Sequence, residues 1–418
     1  MSTTADAAAD PLVPERDGRP DPQSVYPVLD SLRAVAAIAV VATHVAFLSG
    51  YSSTEGWGTL TARLEVGVAI FFVLSGFLLS QPYLKEAAAP SGFPSTRHYL
   101  WKRAIRILPV YWVSVVAALL LVEQPEPLTA STWWHNLTLT TLYGQEPFPL
   151  GLGQMWSLGV EVTFYLILPL LGWFAVKVVC RRGWHPRALH GVAAAMVLIS
   201  VAWDLGLAGL APDSLFLAPQ WLPAYLGWFG VGLSLAVVTT GAGVSAPDSR
   251  WSQWVRHAGA SPWTCWGIAL ALLAVASTPL AGPSGLVAPT AAETTVRTLL
   301  YGAIAGMLVL PGVLAPPATR FARLMSAPAL RHLGRTSYSL FCCHLIVLHL
   351  LYEWRDFEIG GGQGPMIFAW TLALSLVVAE VLYRVVERPA MRLRNLGRRR
   401  GPGTTSEATT PSDATTSS

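Results

Sequence analysis

The sequence has few charged residues: Asp, Glu, Lys and Arg make up 12% of its 418 residues, about half the usual share in a soluble domain. Hydrophobic residues make up 53%. Such a composition excludes an ordinary soluble protein, because there is too little charge to cover a water-exposed surface. It predicts an all-α polytopic integral membrane protein, a bundle of helices whose backbone groups are satisfied within each span.

Lysine, cysteine and metal-binding spacings are also scarce. Three of the 28 basic residues are lysines and the rest are arginines. The four cysteines lack CxxC spacing and fall in or beside apolar runs, so they are predicted to pack rather than to form disulfides or bind metal. The histidines show no HxxH or HExxH spacing, and there is no Walker A loop, so we expect no metal site and no nucleic-acid partner.

Ten apolar stretches are long enough to span a bilayer. They lie at about 31–49, 64–84, 104–122, 156–179, 189–210, 221–240, 262–281, 296–315, 336–353 and 365–386. About ten transmembrane helices are therefore predicted, forming one domain over residues 26–394. The polar residues 1–25 and the Ser/Thr-rich tail 395–418 are expected to be disordered, with no second catalytic domain.

The basic residues predict one orientation. With a cytoplasmic N-terminus, the outer loops hold only Arg63, Arg297 and Arg355 among the 28 basic residues. Cytoplasmic loops carry the excess of arginine and lysine in membrane proteins. We therefore expect a multi-pass protein of the cell membrane with both termini in the cytoplasm.

The first predicted span carries two ionisable side chains, Arg33 and His44. Eleven residues are almost three helical turns, so both side chains leave the same face roughly 16 Å apart. Ionisable groups inside a span are costly and often functional. A histidine that is merely hydrogen-bonded inside the bundle is the structural alternative.

The fourth predicted span contains Glu161, with Tyr165 one turn further along the same face. Glu161 and His44 enter from opposite sides of the membrane to comparable depths, so the two side chains are predicted to meet. A carboxylate there would fix the imidazole tautomer during proton transfer. A buried pair with a purely structural role is the alternative.

Two further segments are informative. In Gly67–Ser80, the small residues Ser75 and Gly76 predict the close approach of a neighbouring helix or an acyl chain. Arg103 and Arg106 project from one face at the start of the third span. Membrane topology, anionic lipid or a phosphorylated ligand would each explain this basic pair.

Together these segments resemble the acyltransferase 3 family of polytopic membrane enzymes, and the likeness runs from about Leu29 to Met391. The matching motifs are Arg33 with His44, FFVLSGFL within Gly67–Leu79, Arg103–Trp112, the WSLxxExxFYxxxP pattern from Trp156 to Pro169, LGRTSYSLFCCH from Leu333 to His344, and Tyr383 with Glu387 and Pro389. Two positions depart from the family pattern: Ala69 stands where many members have an acid, and Phe341 where Tyr is common.

The resemblance implies transfer of an acyl group, by default acetyl, from cytoplasmic acyl-CoA to a hydroxyl group. Acyl-CoA is then a co-substrate, and no tightly bound cofactor is expected. Arg33, Arg103 and Arg106 are the expected partners of its phosphates. His44 is the expected general base, oriented by Glu161, although transfer through an acylated His44 stays open.

Acceptor binding is expected from the outer side, with Ser157, Tyr165 and Gln154 as candidate contacts. His344 is either a further substrate contact or a structural partner of Glu380 in the next span. The expected acceptor is a sugar-containing molecule, such as a glycosylated or macrolide-type natural product, and O-acetylation of a cell-envelope glycan is the alternative.

A different functional class is also open. A proton-coupled exporter of a glycoside or lipid-linked sugar would consume a proton gradient instead of acyl-CoA.

Overall fold

The computed structural model describes residues 26–54, 56–241, 250–284 and 287–395. Within these ranges every regular element is helical and there is no strand. The all-α prediction is confirmed. The predictions for residues 1–25 and for the tail beyond Asn395 lie outside the described residues.

Eleven helices build the bundle. They are α1 (Pro27–Leu48), α2 (Val66–Ala88), α3 (Thr96–Leu121), α4 (Met155–Phe174), α5 (Pro186–Leu205), α6 (Leu222–Gly241), α7 (Arg250–Gly259), α8 (Pro262–Ala276), α9 (Ala291–Leu314), α10 (Pro328–Arg355) and α11 (Gly364–Leu382). Shorter helices lie at Trp57–Ala62, Ala130–Leu137, Arg320–Met325 and Arg388–Arg392. Single π-helical turns extend α4 over Ala175–Val179 and α11 over Tyr383–Glu387.

All ten predicted spans coincide with helices. Eight of the described helices are long and apolar enough to cross a membrane, and α7 with α8, bent by 92° at their junction, form a ninth candidate as a pair. The 28-residue α10 is long enough as well, but histidines and hydroxyl side chains interrupt its apolar stretch. A polytopic membrane bundle is therefore the architecture of this chain.

The first helix, α1, runs through the middle of the bundle. It packs against α2, α9, α10 and α11. Its contact with α10 is a backbone contact: a Cβ atom on Gly334 would lie 1.8 Å from the carbonyl oxygen of Asp30. On the other side, a Cβ on Gly67 of α2 would lie 2.5 Å from the Ala36 carbonyl oxygen. Glycine thus lets α1 approach both neighbours.

The predicted close approach at Gly76 is also confirmed. A Cβ atom there would lie 2.3 Å from the carbonyl oxygen of Phe229 in α6, and a Cβ on Gly232 would lie 2.1 Å from the Val73 carbonyl oxygen. The ring of Phe229 then stacks on Phe72, with centroids 4.7 Å apart. The helices α2 and α6 therefore cross with their backbones in contact.

We predict that Gly334→Ala destabilises the protein by about 1–3 kcal/mol, because the added methyl group must push α10 away from the Asp30 carbonyl. The measurement is thermal unfolding of the detergent-purified protein. Gly267→Ala in α8 is the matched control, since a Cβ there meets no atom within 4 Å. An unchanged melting temperature for Gly334→Ala would contradict the tight crossing.

Candidate active site

Two histidines from different helices meet in the bundle. Nδ1 of His44 in α1 lies 3.2 Å from Nε2 of His344 in α10. The same Nδ1 lies 2.8 Å from the carbonyl oxygen of Val40, one turn back along α1. Nδ1 of His344 lies 2.8 Å from the carbonyl oxygen of Phe341. His344 is fully buried, whereas His44 is partly exposed.

These contacts fix where the protons sit on two neutral rings. A carbonyl oxygen only accepts hydrogen bonds, so Nδ1 of each ring must carry the proton. Nε2 of His344 is then unprotonated and can accept a hydrogen bond. The Nδ1 proton of His44 is shared between this nitrogen and the Val40 carbonyl oxygen. What remains is Nε2 of His44, an unprotonated nitrogen on the more exposed ring. The pair therefore presents one basic atom.

The predicted meeting of Glu161 with His44 is wrong. Oε1 of Glu161 accepts hydrogen bonds from the Ser75 hydroxyl at 2.5 Å and from the Tyr165 hydroxyl at 2.6 Å. The physical reason is helix order, because α2 packs against both α1 and α4 and supplies Ser75 as the partner. The expected position of Tyr165, one turn from Glu161 on the same face of α4, is confirmed.

The expected pairing of His344 with Glu380 is also wrong. Glu380 binds Nε2 of His332 at 2.8 Å and Nε of Arg384 at 2.5 Å. The helices α10 and α11 are antiparallel, and the thiol of Cys343 reaches the Ser375 carbonyl oxygen at 3.6 Å. Glu380 lies more than one turn beyond that level, beside the first turns of α10.

The three predicted phosphate partners cluster near the start of α1. Arg33 pairs with Asp30 at 3.1 Å and interacts electrostatically with Arg106 and Glu161. Arg106 pairs with Glu387 at 2.5 Å. The guanidinium of Arg103 lies over the ring of Tyr165, 5.8 Å from its centroid, and 6.0 Å from that of Tyr99. Glu161 and Tyr165 thus belong to this basic cluster rather than to the histidine pair.

Sequence reasoning missed two members of the basic cluster. Arg331 of α10 lies 3.9 Å from Asp30, the same carboxylate that Arg33 contacts, and Arg335 interacts with Asp30 electrostatically. Arg335 lies within the LGRTSY motif and Arg331 two residues before it, so their place in the sequence was a signal that they belong to the site. Several guanidinium groups therefore surround one carboxylate, and the local charge is positive.

The remaining predicted acceptor contacts are buried at the start of α4. Ser157 donates to the Gln154 carbonyl oxygen at 3.2 Å. The Gln154 side chain donates to the carbonyl oxygens of Cys342 at 3.3 Å and Phe341 at 3.5 Å. The Phe341 carbonyl is the one that His344 also contacts, so Gln154 ties the start of α4 to the histidine pair.

No group of three or more His, Cys, Asp or Glu side chains within the described ranges is arranged to hold a metal ion. All four cysteines are free and buried. The chemistry available in the site is that of the histidine pair and the basic cluster.

The chain matches, over residues 26–384, the model of a family described as an acyltransferase domain. It is 26% identical over 385 residues to peptidoglycan O-acetyltransferase OatA of Listeria monocytogenes, covering 87% of this chain and 55% of that protein. It is 27% identical over 412 residues to acyltransferase MdmB of Streptomyces mycarofaciens, covering 92% and 96%. O-acetyltransferase OatA of Staphylococcus aureus is 22% identical, covering 87% and 57%.

The chain thus spans little more than half of the OatA proteins and nearly all of MdmB. No solved structure matches it significantly.

We predict that Glu387→Gln destabilises the protein by about 3–5 kcal/mol, because it leaves the Arg106 guanidinium without its buried counter-charge. The Glu387 side chain is fully buried and also accepts a hydrogen bond from Ser339 at 2.7 Å. Thermal or denaturant unfolding in detergent measures the loss. Glu380→Gln is the control, since that partly exposed pair should contribute less than about 1 kcal/mol. Equal losses in both variants would contradict this assignment.

Proposed function

The chain belongs to the acyltransferase 3 family. We propose that it is an O-acyltransferase that transfers an acyl group, acetyl by default, from cytoplasmic acyl-CoA to a hydroxyl of a sugar-containing acceptor. The observation that carries the proposal is the histidine pair, which leaves Nε2 of His44 as a base on the accessible ring. Family membership removes the reason to consider a proton-coupled exporter.

In the proposed reaction, Nε2 of His44 takes the proton of the acceptor hydroxyl. The freed oxygen attacks the thioester carbonyl carbon, and the carbon–sulfur bond breaks. The coenzyme A thiolate then leaves with the proton returned by His44. Charge on the transient imidazolium is stabilised through its Nδ1–H by the Val40 carbonyl and by Nε2 of His344.

The basic cluster supports binding of the coenzyme A phosphates near the start of α1. Arg33 shares Asp30 with Arg331, and Arg106 is paired with Glu387, while Arg103 lies over tyrosine rings. From this level the site of acyl transfer at His44 is about three helical turns along α1, roughly 16 Å, which suits a long, thin pantetheine arm. The proposed orientation places this cluster and both chain termini on the cytoplasmic side.

The proposed acceptor is a glycosylated natural product of moderate size. The chain covers 96% of acyltransferase MdmB but only 55% of the Listeria peptidoglycan O-acetyltransferase, which supports an acceptor other than peptidoglycan. The name of the Listeria relative favours a second candidate, the O-acetylation of a cell-envelope glycan. Both candidates use the same bond-forming step and differ only in the molecule that carries the hydroxyl.

We predict that His44→Ala lowers the rate of acyl transfer about 10²- to 10⁴-fold, the usual contribution of a general base. The assay uses protein in membranes with radiolabelled acetyl-CoA and a panel of glycosides and glycan fragments. His257→Ala is the control, because His257 is exposed on α7 and contacts the Gln253 carbonyl oxygen of its own helix. Transfer by His44→Ala at the wild-type rate would overturn the mechanism, and no transfer by the wild type to any acceptor would overturn the proposed function.

His344 is a positioning residue in this scheme. We predict that His344→Ala lowers kcat about 10- to 100-fold, since a hydrogen bond to the charged His44 ring is lost, and leaves the KM for acetyl-CoA unchanged. His344→Gln should recover part of kcat, because its amide oxygen can accept the same proton. A purely structural role would instead lower the yield of folded protein, and glutamine would not restore kcat.

A further inference from the structure

A second site lies at the outer end of the bundle, opposite to the basic cluster. The outer pocket is a cleft that opens to the exterior and has about 80 Å³ of interior volume. It is lined by Glu65, Val68, Trp156, Asp204, Pro219, Ala224, Tyr225, Trp228, Thr294, Arg297, Thr298 and Tyr301. These residues come from the outer ends of α2, α4, α5, α6 and α9.

One wall of the outer pocket is aromatic. The ring centroids of Trp156 and Tyr225 lie 5.0 Å apart, and those of Tyr225 and Trp228 lie 4.9 Å apart. The indole N–H of Trp228 donates to the Thr298 carbonyl oxygen at 2.8 Å, which fixes that ring. The rings are tilted by 37° and 45° to one another, so they form a curved aromatic wall, against which the apolar C–H face of a chair-shaped ring can pack.

The remaining wall is charged. Glu65 accepts a hydrogen bond from the Tyr301 hydroxyl at 2.9 Å and lies 3.9 Å from Arg297. Asp204 has a side-chain hydrogen bond with Thr298 and interacts with Arg297 electrostatically, yet its Oδ2 atom is buried and has no hydrogen-bond partner among the described residues. A buried carboxylate oxygen without a donor is costly, so the outer pocket favours a ligand that donates hydrogen bonds.

Two hydrogen bonds link chain segments next to the histidine pair with segments next to the outer pocket. The Thr43 hydroxyl, next to His44, donates to the Ala62 carbonyl oxygen at 2.9 Å, three residues before Glu65. On the other side, Gln154 contacts the Phe341 carbonyl that His344 also contacts, and Trp156 follows two residues later. The pocket and the basic atom of His44 therefore lie at the same level of the bundle.

We propose that the outer pocket binds a pyranoside ring of the acceptor, with the ring packed against the aromatic wall and its hydroxyls bound by Asp204, Glu65 and Arg297. Carboxylates accept hydroxyl protons and the guanidinium donates to hydroxyl oxygens, so both groups recognise adjacent hydroxyls. This inference rests on the proposed function, because it names the site of that acceptor. A free glycoside and the end of a glycan chain share this chemistry.

The kinetic test is Asp204→Asn with Asp213→Asn as its control, since Asp213 is exposed in the outer loop after α5. For Asp204→Asn we expect the acceptor KM to rise about 10- to 100-fold, the effect of losing a hydrogen bond to a charged group. Hydrolysis of acetyl-CoA without acceptor should stay at the wild-type rate, because it needs only the donor site and His44. If Asp204→Asn slows both reactions equally, or neither, the inference is overturned.

A binding measurement separates this inference from the proposed function. Saturation-transfer NMR is recorded on His44→Ala protein in nanodiscs with methyl β-D-glucopyranoside, methyl N-acetyl-β-D-glucosaminide, erythromycin A and a peptidoglycan disaccharide. Adding Asp204→Asn should abolish the signal of the bound sugar, and adding Asp213→Asn should not. Such binding would support the site even if the wild type transferred no acyl group. Absence of binding to all four probes would overturn it, even if transfer occurred.

Binding of the free glycosides without the disaccharide would assign the pocket to a small glycoside. The opposite result would assign it to the end of a glycan chain. Either result supports a pyranoside site.

Discussion

A backbone contact between α1 and α10 sets the distance between the two histidines. Gly334 lies against the Asp30 carbonyl, and the Ser31 hydroxyl donates to the Met325 carbonyl just before α10 begins. From this crossing the two helices run side by side for about three to four turns to the level of His44. The hydrogen bond between the imidazoles is thus a consequence of helix packing, since neither ring could be placed by its own helix alone.

The absence of water inside a membrane explains the rest of the polar network. A buried charge there must find a partner, and most of the buried charges in this bundle have one. Arg106 pairs with Glu387, and Glu161 accepts hydrogen bonds from two hydroxyl groups. The departures are informative: several arginines share Asp30 at one end, and Asp204 keeps an unsatisfied oxygen at the other. A polyanionic acyl donor would pair with the arginines at the first end. A hydroxyl-rich acceptor would donate a hydrogen bond to Asp204 at the other.

The motifs in the sequence correspond to contacts between helices more than to single catalytic groups. Glu387 of the closing motif compensates Arg106, and Ser75 of the glycine-containing block binds Glu161. Gln154 joins the start of α4 to α10. These residues hold the basic cluster and the histidine pair at opposite ends of α1. Most of the matched motifs thus supply contacts that hold the helices in position. The motifs are recognisable in the sequence, but the partner of each residue is not.

The sequence by itself determined the helices, their ten apolar stretches and the histidine on which the proposed chemistry rests, because hydropathy and helical spacing are local properties of a chain. Only the tertiary structure decided the partners. Two ionisable residues of different helices meet only if the fold brings them to the same place, and Glu161 instead lies near Arg33 in the basic cluster, where Ser75 of α2 binds it. The pairing of His44 with His344, 300 residues apart, follows from a glycine contact that hydropathy does not reveal.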